Sequence, residues 1–194
     1  MPVLSEATRA QIRAELERYP ERRTALLPAL RAIQAQFGWL PPEALHEAGE
    51  LTGFDANALA QLASFYSLLY LKPVGAYVLQ MCNNAGCYLA GADSLIEHLE
   101  QRLGVKVGQT TPDGVFSLRL AECIAGCDRA PAMMVNRDHV ENLTRERLDE
   151  LLATLRHEHE SRSAAGSTGR NGAGPASARP AASTTQSEEE DNRG

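Results

Sequence analysis

All four cysteines of this 194-residue sequence lie between Met81 and Pro131, in two pairs. Cys82 and Cys87 enclose Asn83, Asn84, Ala85 and Gly86, and Cys123 and Cys127 enclose Ile124, Ala125 and Gly126. Each pair follows an apolar run that reads as a strand, and a helix-like segment separates the pairs. Iron–sulfur clusters are held by thiolates, typically four. The pattern therefore reads as four thiolates on two loops converging on one iron–sulfur cluster. Gly86 and Gly126 stand immediately before Cys87 and Cys127, where glycine permits unusual backbone angles and lets N–H groups approach sulfur.

Other cysteine chemistries fit less well. A zinc site also uses four cysteines, but usually with tighter Cys-x-x-Cys spacing. Two disulfides conflict with a reducing compartment. Inert buried cysteines occur singly, whereas here two pairs stand at strand ends. A thioredoxin-type dithiol needs Cys-x-x-Cys, which is absent. Histidine adds little: His98 falls on a helix, His157 and His159 on a fading helix end, and His139 in a turn, all expected to be solvated. Tyr66, Tyr70 and Tyr77 read as core or interface residues. Asp128 and Arg129 flank the second cysteine loop as surface charge or as a docking feature. No Ser–His–Asp set, catalytic carboxylate pair or dinucleotide fingerprint appears in the expected folded part.

The elements that must position these thiols follow from pattern. With 43% hydrophobic residues the chain can bury a core, and a net charge of −6 argues against a nucleic-acid binder. No apolar run is long enough to span a bilayer. The start shows no pattern of a secretion signal or transit peptide, so a bacterial-type cytoplasm is the expected compartment.

Four helices are expected before residue 72. The first spans about Ser5 to Tyr19, with Ile12, Leu16 and Tyr19 on one face and Pro20 ending it. The second carries Leu26, Leu30, Ile33 and Phe37, with Thr24 as a candidate cap and Gly38 beyond its end. The third opens at Pro41-Pro42 and closes at Gly53. Asp55 caps the fourth, which aligns Leu59, Leu62, Tyr66 and Leu69.

Beyond Lys72-Pro73-Val74-Gly75 the period changes. Ala76 to Met81 reads as a strand, and Leu95, Ile96, Leu99 and Leu103 mark a helix ended by Gly104. Phe116, Leu118 and Leu120 alternate as in a half-buried strand. Ala132 to Asn136 is another strand candidate, Asp138-His139 a turn, and Thr144 caps a last helix with Leu143 and Leu148 as a staple. The expected class is α+β, α/β-like: a helical bundle over 1–72, a small α/β domain over 73–160, and a low-complexity tail over 161–194 that reads as disordered and dispensable for folding.

At these residues the chain resembles the thioredoxin-like 2Fe–2S ferredoxin subunits of respiratory complex I, the NADH:quinone oxidoreductases. The resemblance rests on the two cysteine pairs with 35 residues between Cys87 and Cys123. It also rests on Gln36-Phe37-Gly38-Trp39-Leu40, Ser64-Phe65-Tyr66, Pro73-Val74-Gly75 and Ala130-Pro131, within about Ala25 to Leu155. One departure stands out: the family usually places glycine second after the third cysteine, where this chain has Ala125.

The resemblance implies a thioredoxin-like ferredoxin domain behind a helical bundle and one 2Fe–2S cluster on Cys82, Cys87, Cys123 and Cys127. It implies single-electron exchange with the FMN of a partner subunit that binds NADH, neighbouring peripheral-arm subunits, and a peripheral place on the cytoplasmic side of the membrane. The equivalent subunit of an NAD-linked hydrogenase or formate dehydrogenase shares the motif, and a zinc-stabilised interaction module is the rival of another class.

Overall fold

The computed structural model describes residues 3–164, and the low-complexity tail expected beyond the last helix lies outside the described residues from 165 onward. The class is α+β. The elements run α1 (Glu6–Arg18), a 3-10 turn (Arg22–Ala25), α2 (Leu26–Phe37), α3 (Pro42–Thr52), α4 (Ala56–Phe65), β1 (Tyr77–Cys82), α5 (Ala85–Leu89) and α6 (Ala92–Leu103). They continue with β2 (Phe116–Ala121), a second 3-10 turn (Cys127–Arg129), β3 (Met133–Val135), β4 (Asp138–Val140) and α7 (Arg145–Ala164).

Most helix boundaries follow from local chemistry. Ser5 and Asp55 cap α1 and α4 through side-chain oxygens that accept the N–H groups of Thr8 and Asn57. Gly38, Gly53 and Gly104 take the left-handed conformation past the ends of α2, α3 and α6. Thr24 does not cap α2: it lies inside the 3-10 turn, which hands the chain into α2 with the Leu26 N–H bonded to the Arg23 carbonyl. The tight turn satisfies an N–H that a side-chain cap otherwise serves. Helix α4 stops at Phe65, so Tyr66 and Leu69 lie beyond it rather than on its stripe. Helix α7 runs four residues past the expected end, to Ala164.

Helices α1–α4 share one hydrophobic cluster, centred on Ile12, Leu30, Ile33, Leu40 and Leu59. A second cluster joins α6 and α7 to one face of the sheet through Leu79, Met81, Leu99, Phe116, Leu118 and Leu148. Burying each of these side chains stabilises the fold by roughly 1.5–3 kcal/mol. The sheet has the order β2-β1-β3-β4, with β1 and β2 parallel and the other pairs antiparallel. The parallel pair needs a crossover, supplied by α5 and α6.

Asp138-His139 belongs to β4 and not to a turn. The turn is Asn136-Arg137, with Asn136 left-handed at φ 56° and Val135 opposite Asp138.

Gln34 ties α2 to the segment that leads from the helices toward the sheet. Its amide donates to the Leu68 carbonyl at 2.8 Å and accepts the Tyr70 N–H at 2.8 Å. The Tyr70 ring then lies beneath the Arg119 guanidinium, 4.9 Å away, beside the buried Gln80 that pairs with Arg119 across β1 and β2.

Two aspartates make the fold acid-sensitive. The Thr111 hydroxyl holds the Asp113 carboxyl below its ordinary range, with Val115 N–H and Arg156 adding to it. A hydrogen bond from His98, with Arg102 beside it, does the same for Asp149. The unfolded chain binds these protons near the ordinary pKa of about 3.9. Stability is therefore fully present above that value and is lost as pH falls through the lower native values. Melting temperatures measured from pH 7 down to 3 are expected to fall below pH 4. In an Asp113→Asn/Asp149→Asn double variant the decline should be shallower, and an equal slope would discount both contacts.

Candidate metal centre

The cysteines stand on the two segments that follow β1 and β2, at one end of the sheet. Cys82 is the last residue of β1, and β2 ends at Ala121, opposite it and two residues before Cys123. Cys87 sits on α5, a helix of one and a half turns that sequence pattern reads as loop. Asn84 starts that helix by accepting the Ala85 N–H at 2.8 Å. Cys127 opens the second 3-10 turn, so the two-loop expectation is corrected to a strand end, a short helix, an open loop and a turn. The Ala130–Pro131 peptide bond after that turn is cis.

The pairs differ in exposure: Cys82 and Cys87 are buried, whereas Cys123 and Cys127 are exposed, and all four are free thiols. Burial pushes the Cys87 thiol up. The Ala132 backbone N–H pulls it back down, and Cys82 and Cys127 close by push it further up. Thus Cys82 and Cys127 both lie near the Cys87 sulfur. The Cys82 thiol donates to the Glu122 carbonyl at 3.8 Å, and the Ala125 N–H donates to Cys123 Sγ at 3.4 Å.

Neither Gly86 nor Gly126 supplies an unusual dihedral angle, and only Gly126 stands in a tight approach. Gly86 lies within a helix, and Gly126 has φ −111°. A Cβ at Gly86 would stand 3.6 Å from both Cβ and Sγ of Cys127, so α5 packs directly on the second cysteine turn. A Cβ at Gly126 would meet the Ala132 methyl at 3.2 Å. The left-handed residue is Ala125, at φ 60°.

Ala132 joins the site without any signal in the sequence. It is fully buried, its carbonyl takes the Cys82 N–H at 3.1 Å, and its N–H faces Cys87. Nothing in its residue type marks that position.

The donor set fits an iron–sulfur group: four free thiols, two of them buried, with backbone N–H groups aimed at Cys87 and Cys123. A zinc ion needs its four sulfurs about 2.3 Å from one point. Among the described residues no three Cys, His, Asp or Glu side chains gather on a single ion.

The remaining candidates fall elsewhere. His98 pairs with Asp149 at 2.9 Å and is mostly covered, in place of the expected solvated ring. His159 packs edge-on to Tyr77, while His157 and His139 are exposed. Tyr70 and Tyr77 are core residues, whereas Tyr66 lies at the surface with its ring edge-on to the exposed Phe65. Asp128 is exposed, and Arg129 bonds to Glu141 at 3.0 Å.

Comparison with known proteins converges on one family. Residues 12–156 match the family profile described as thioredoxin-like 2Fe-2S ferredoxin. A subunit of the NADH-quinone oxidoreductase of Rhizobium meliloti is 43% identical over 148 residues, covering 76% of this chain and 88% of that protein. The corresponding subunit of the Escherichia coli NADH-quinone oxidoreductase is 38% identical over 149 residues, 77% of this chain and 90% of its own length. NADH-quinone oxidoreductase subunit 2 of Thermus thermophilus is 43% identical, covering 72% and 78%. Among solved structures, an NAD+-reducing NiFe-hydrogenase in the air-oxidized state superposes with a TM-score of 0.63 at 25% identity. That match covers 72% of this chain and 24% of the hydrogenase chain.

Proposed function

Because the chain belongs to the thioredoxin-like 2Fe-2S ferredoxin family, we propose that it is the electron-transfer subunit of an NADH–quinone oxidoreductase, an oxidoreductase that works as a multi-subunit complex. Cys82, Cys87, Cys123 and Cys127 are its ligands for one 2Fe–2S cluster. The observation that carries this reading is the gathering of both cysteine pairs where β1 and β2 run out, on connections packed against one another through Gly86 and Ala132. A cluster held there supplies a one-electron couple.

The protein's own contribution is threefold. Buried Cys82 and Cys87 anchor the group in the domain, and Ala132 and Ala125 point N–H groups at sulfur. Exposed Cys123 and Cys127 leave the other side open to a partner, and on α5 the residues that follow Cys87, Tyr88 and Leu89, are 57% and 85% exposed. Apolar side chains left in water next to a redox site suit a docking surface. The partner we assign is the FMN- and NADH-binding subunit of the same complex, with neighbouring peripheral subunits around it. The place we assign is peripheral, on the cytoplasmic side of the membrane; among the described residues no helix is long and apolar enough to cross it.

Protein purified from iron-replete cells is expected to carry roughly two irons and two labile sulfides per chain. It should show visible absorption that bleaches on reduction, and an EPR signal in the reduced state. Stoichiometric zinc with no acid-labile sulfide would falsify the assignment. The similarity to an NAD+-reducing hydrogenase favours a second reading, the equivalent subunit of such an enzyme. Native co-purification separates the two by whether quinone-reducing or hydrogenase subunits come with the chain.

A further inference from the structure

Ala125 is the residue near the cysteines whose backbone breaks the ordinary rule. Its φ is 60°, and the other non-glycine residues in that region among the described residues, Asn136 and Asn142, are of a type that tolerates it well. Alanine gains nothing from such a conformation by itself. Strain held at a functional site invites the question of what it secures.

The neighbours fix the geometry. Ile124 is buried in the sheet-domain core, and Gly126 is buried against Ala132. Ala125 between them is exposed, so the chain turns at this residue with both sides pinned. The turn aims the Ala125 N–H at Sγ of Cys123, 3.4 Å away. Cys123 is exposed, whereas Cys82 and Cys87 are buried.

We propose that Ala125 is a positioning residue: its left-handed backbone holds one N–H on Cys123 Sγ and thereby raises the reduction potential of the cluster bound through that sulfur. The inference rests on the four-cysteine cluster assignment above. An N–H donor stabilises the form with more negative charge on sulfur, which is the reduced form. Its loss therefore favours the oxidised form. A net hydrogen bond changes such an equilibrium by a few-fold to roughly tenfold. The upper end corresponds to about 59 mV for a one-electron couple.

The test compares four full-length proteins: wild type, Ala125→Gly, Ala125→Val, and an amide-to-ester exchange in which lactic acid replaces Ala125. Glycine keeps the N–H and removes the strain, so its midpoint should equal that of wild type while its melting temperature rises. Valine resists a positive φ strongly, so the loop should turn away and the midpoint should become more negative. The ester keeps the methyl group and the chain path but deletes the donor, and its midpoint should also become more negative.

Iron and sulfide content are measured beside each EPR-monitored redox titration. A wild-type protein without iron and sulfide sinks the cluster assignment itself. An ester variant with full cluster content and an unchanged midpoint overturns the role of Ala125 alone. Loss of the cluster from the ester variant also overturns it, because the N–H then serves ligation and not potential.

Discussion

A Cys127→Ser protein is expected to keep its helices and lose its cluster. The hydroxyl is a harder ligand than a thiolate and gives up its proton far less readily, so it matches iron–sulfide chemistry poorly. Loss of an outer-sphere partner alone typically costs about 10–100-fold in metal affinity, and removal of a ligand should exceed that. The fold has little reason to follow. Serine is close to cysteine in shape, and the turn it would occupy is held by other bonds. Arg129 N–H reaches the Gly126 carbonyl at 3.2 Å, Asn142 N–H the Arg129 carbonyl at 2.8 Å, and the Arg129 guanidinium reaches Glu141 at 3.0 Å. The cores formed by Ile12, Ile33 and Leu59, and by Leu148, Leu152 and Leu155, do not include Cys127. Far-ultraviolet circular dichroism, visible absorption and EPR after reduction, recorded on both proteins, decide the matter. An unchanged cluster spectrum removes Cys127 from the ligand set. Collapse of the helical signal would mean that the metal holds the whole domain together, as in small zinc domains.

That such a variant can be designed from sequence reflects how local the main signals are. Each cysteine pair advertises itself by type and spacing, and caps such as Asp55, Gly38, Gly53 and Thr144 act within a few residues of themselves. Features that sequence pattern does not display depend on distant partners. Helix α5 is too short to show a hydrophobic period, and its cap Asn84 is equally at home in a turn. Ser117 is buried in a strand because its hydroxyl accepts the Gly75 N–H at 2.8 Å and shares a hydrogen bond with Thr110. Leu120, by contrast, is 39% exposed at the end of an edge strand, where alternation alone predicts burial. Periodicity puts His98 on a helix, as observed, but its partner Asp149 lies 51 residues away on α7. The importance of Ala125 and Ala132 is carried by backbone groups, which a residue name does not reveal.

Gly75→Ala should be the most damaging of the small substitutions. The position needs the absence of a side chain, not a special dihedral angle. A Cβ placed on Gly75 would stand 2.7 Å from the Phe116 carbonyl carbon and 2.9 Å from both the Phe116 nitrogen and the Val115 carbonyl carbon. These are main-chain atoms, so no flexible side chain can swing aside. Nor is the neighbouring backbone free to retreat. Ala76 and Tyr77 N–H groups bond to the Gly114 and Val115 carbonyls at 3.0 and 2.8 Å, and Gly75 N–H bonds to Ser117 Oγ at 2.8 Å. Relief therefore requires β1 and β2 to part at the start of their shared register, Tyr77 opposite Phe116. Overpacking of this kind costs typically 1–3 kcal/mol, and a backbone-on-backbone clash belongs at the upper end, about 3 kcal/mol. For a chain of this size that corresponds to a melting temperature lower by roughly 6–12 °C. Gly53→Ala is the control: Gly53 has φ 80° with nothing within 4 Å of a Cβ, so only conformational strain of roughly 1–2 kcal/mol is at stake. The consequence reaches the metal centre, because the same two parallel strands end side by side, β1 at Cys82 and β2 at Ala121, two residues before Cys123. A displaced β1 misplaces Cys82 relative to Cys123, and iron content per chain should fall along with stability. A Gly75→Ala protein that melts within about 2 °C of wild type, well short of the fall expected from a 3 kcal/mol loss, would mean that the Phe116 backbone yields cheaply and that the strand pair is not held where these contacts place it.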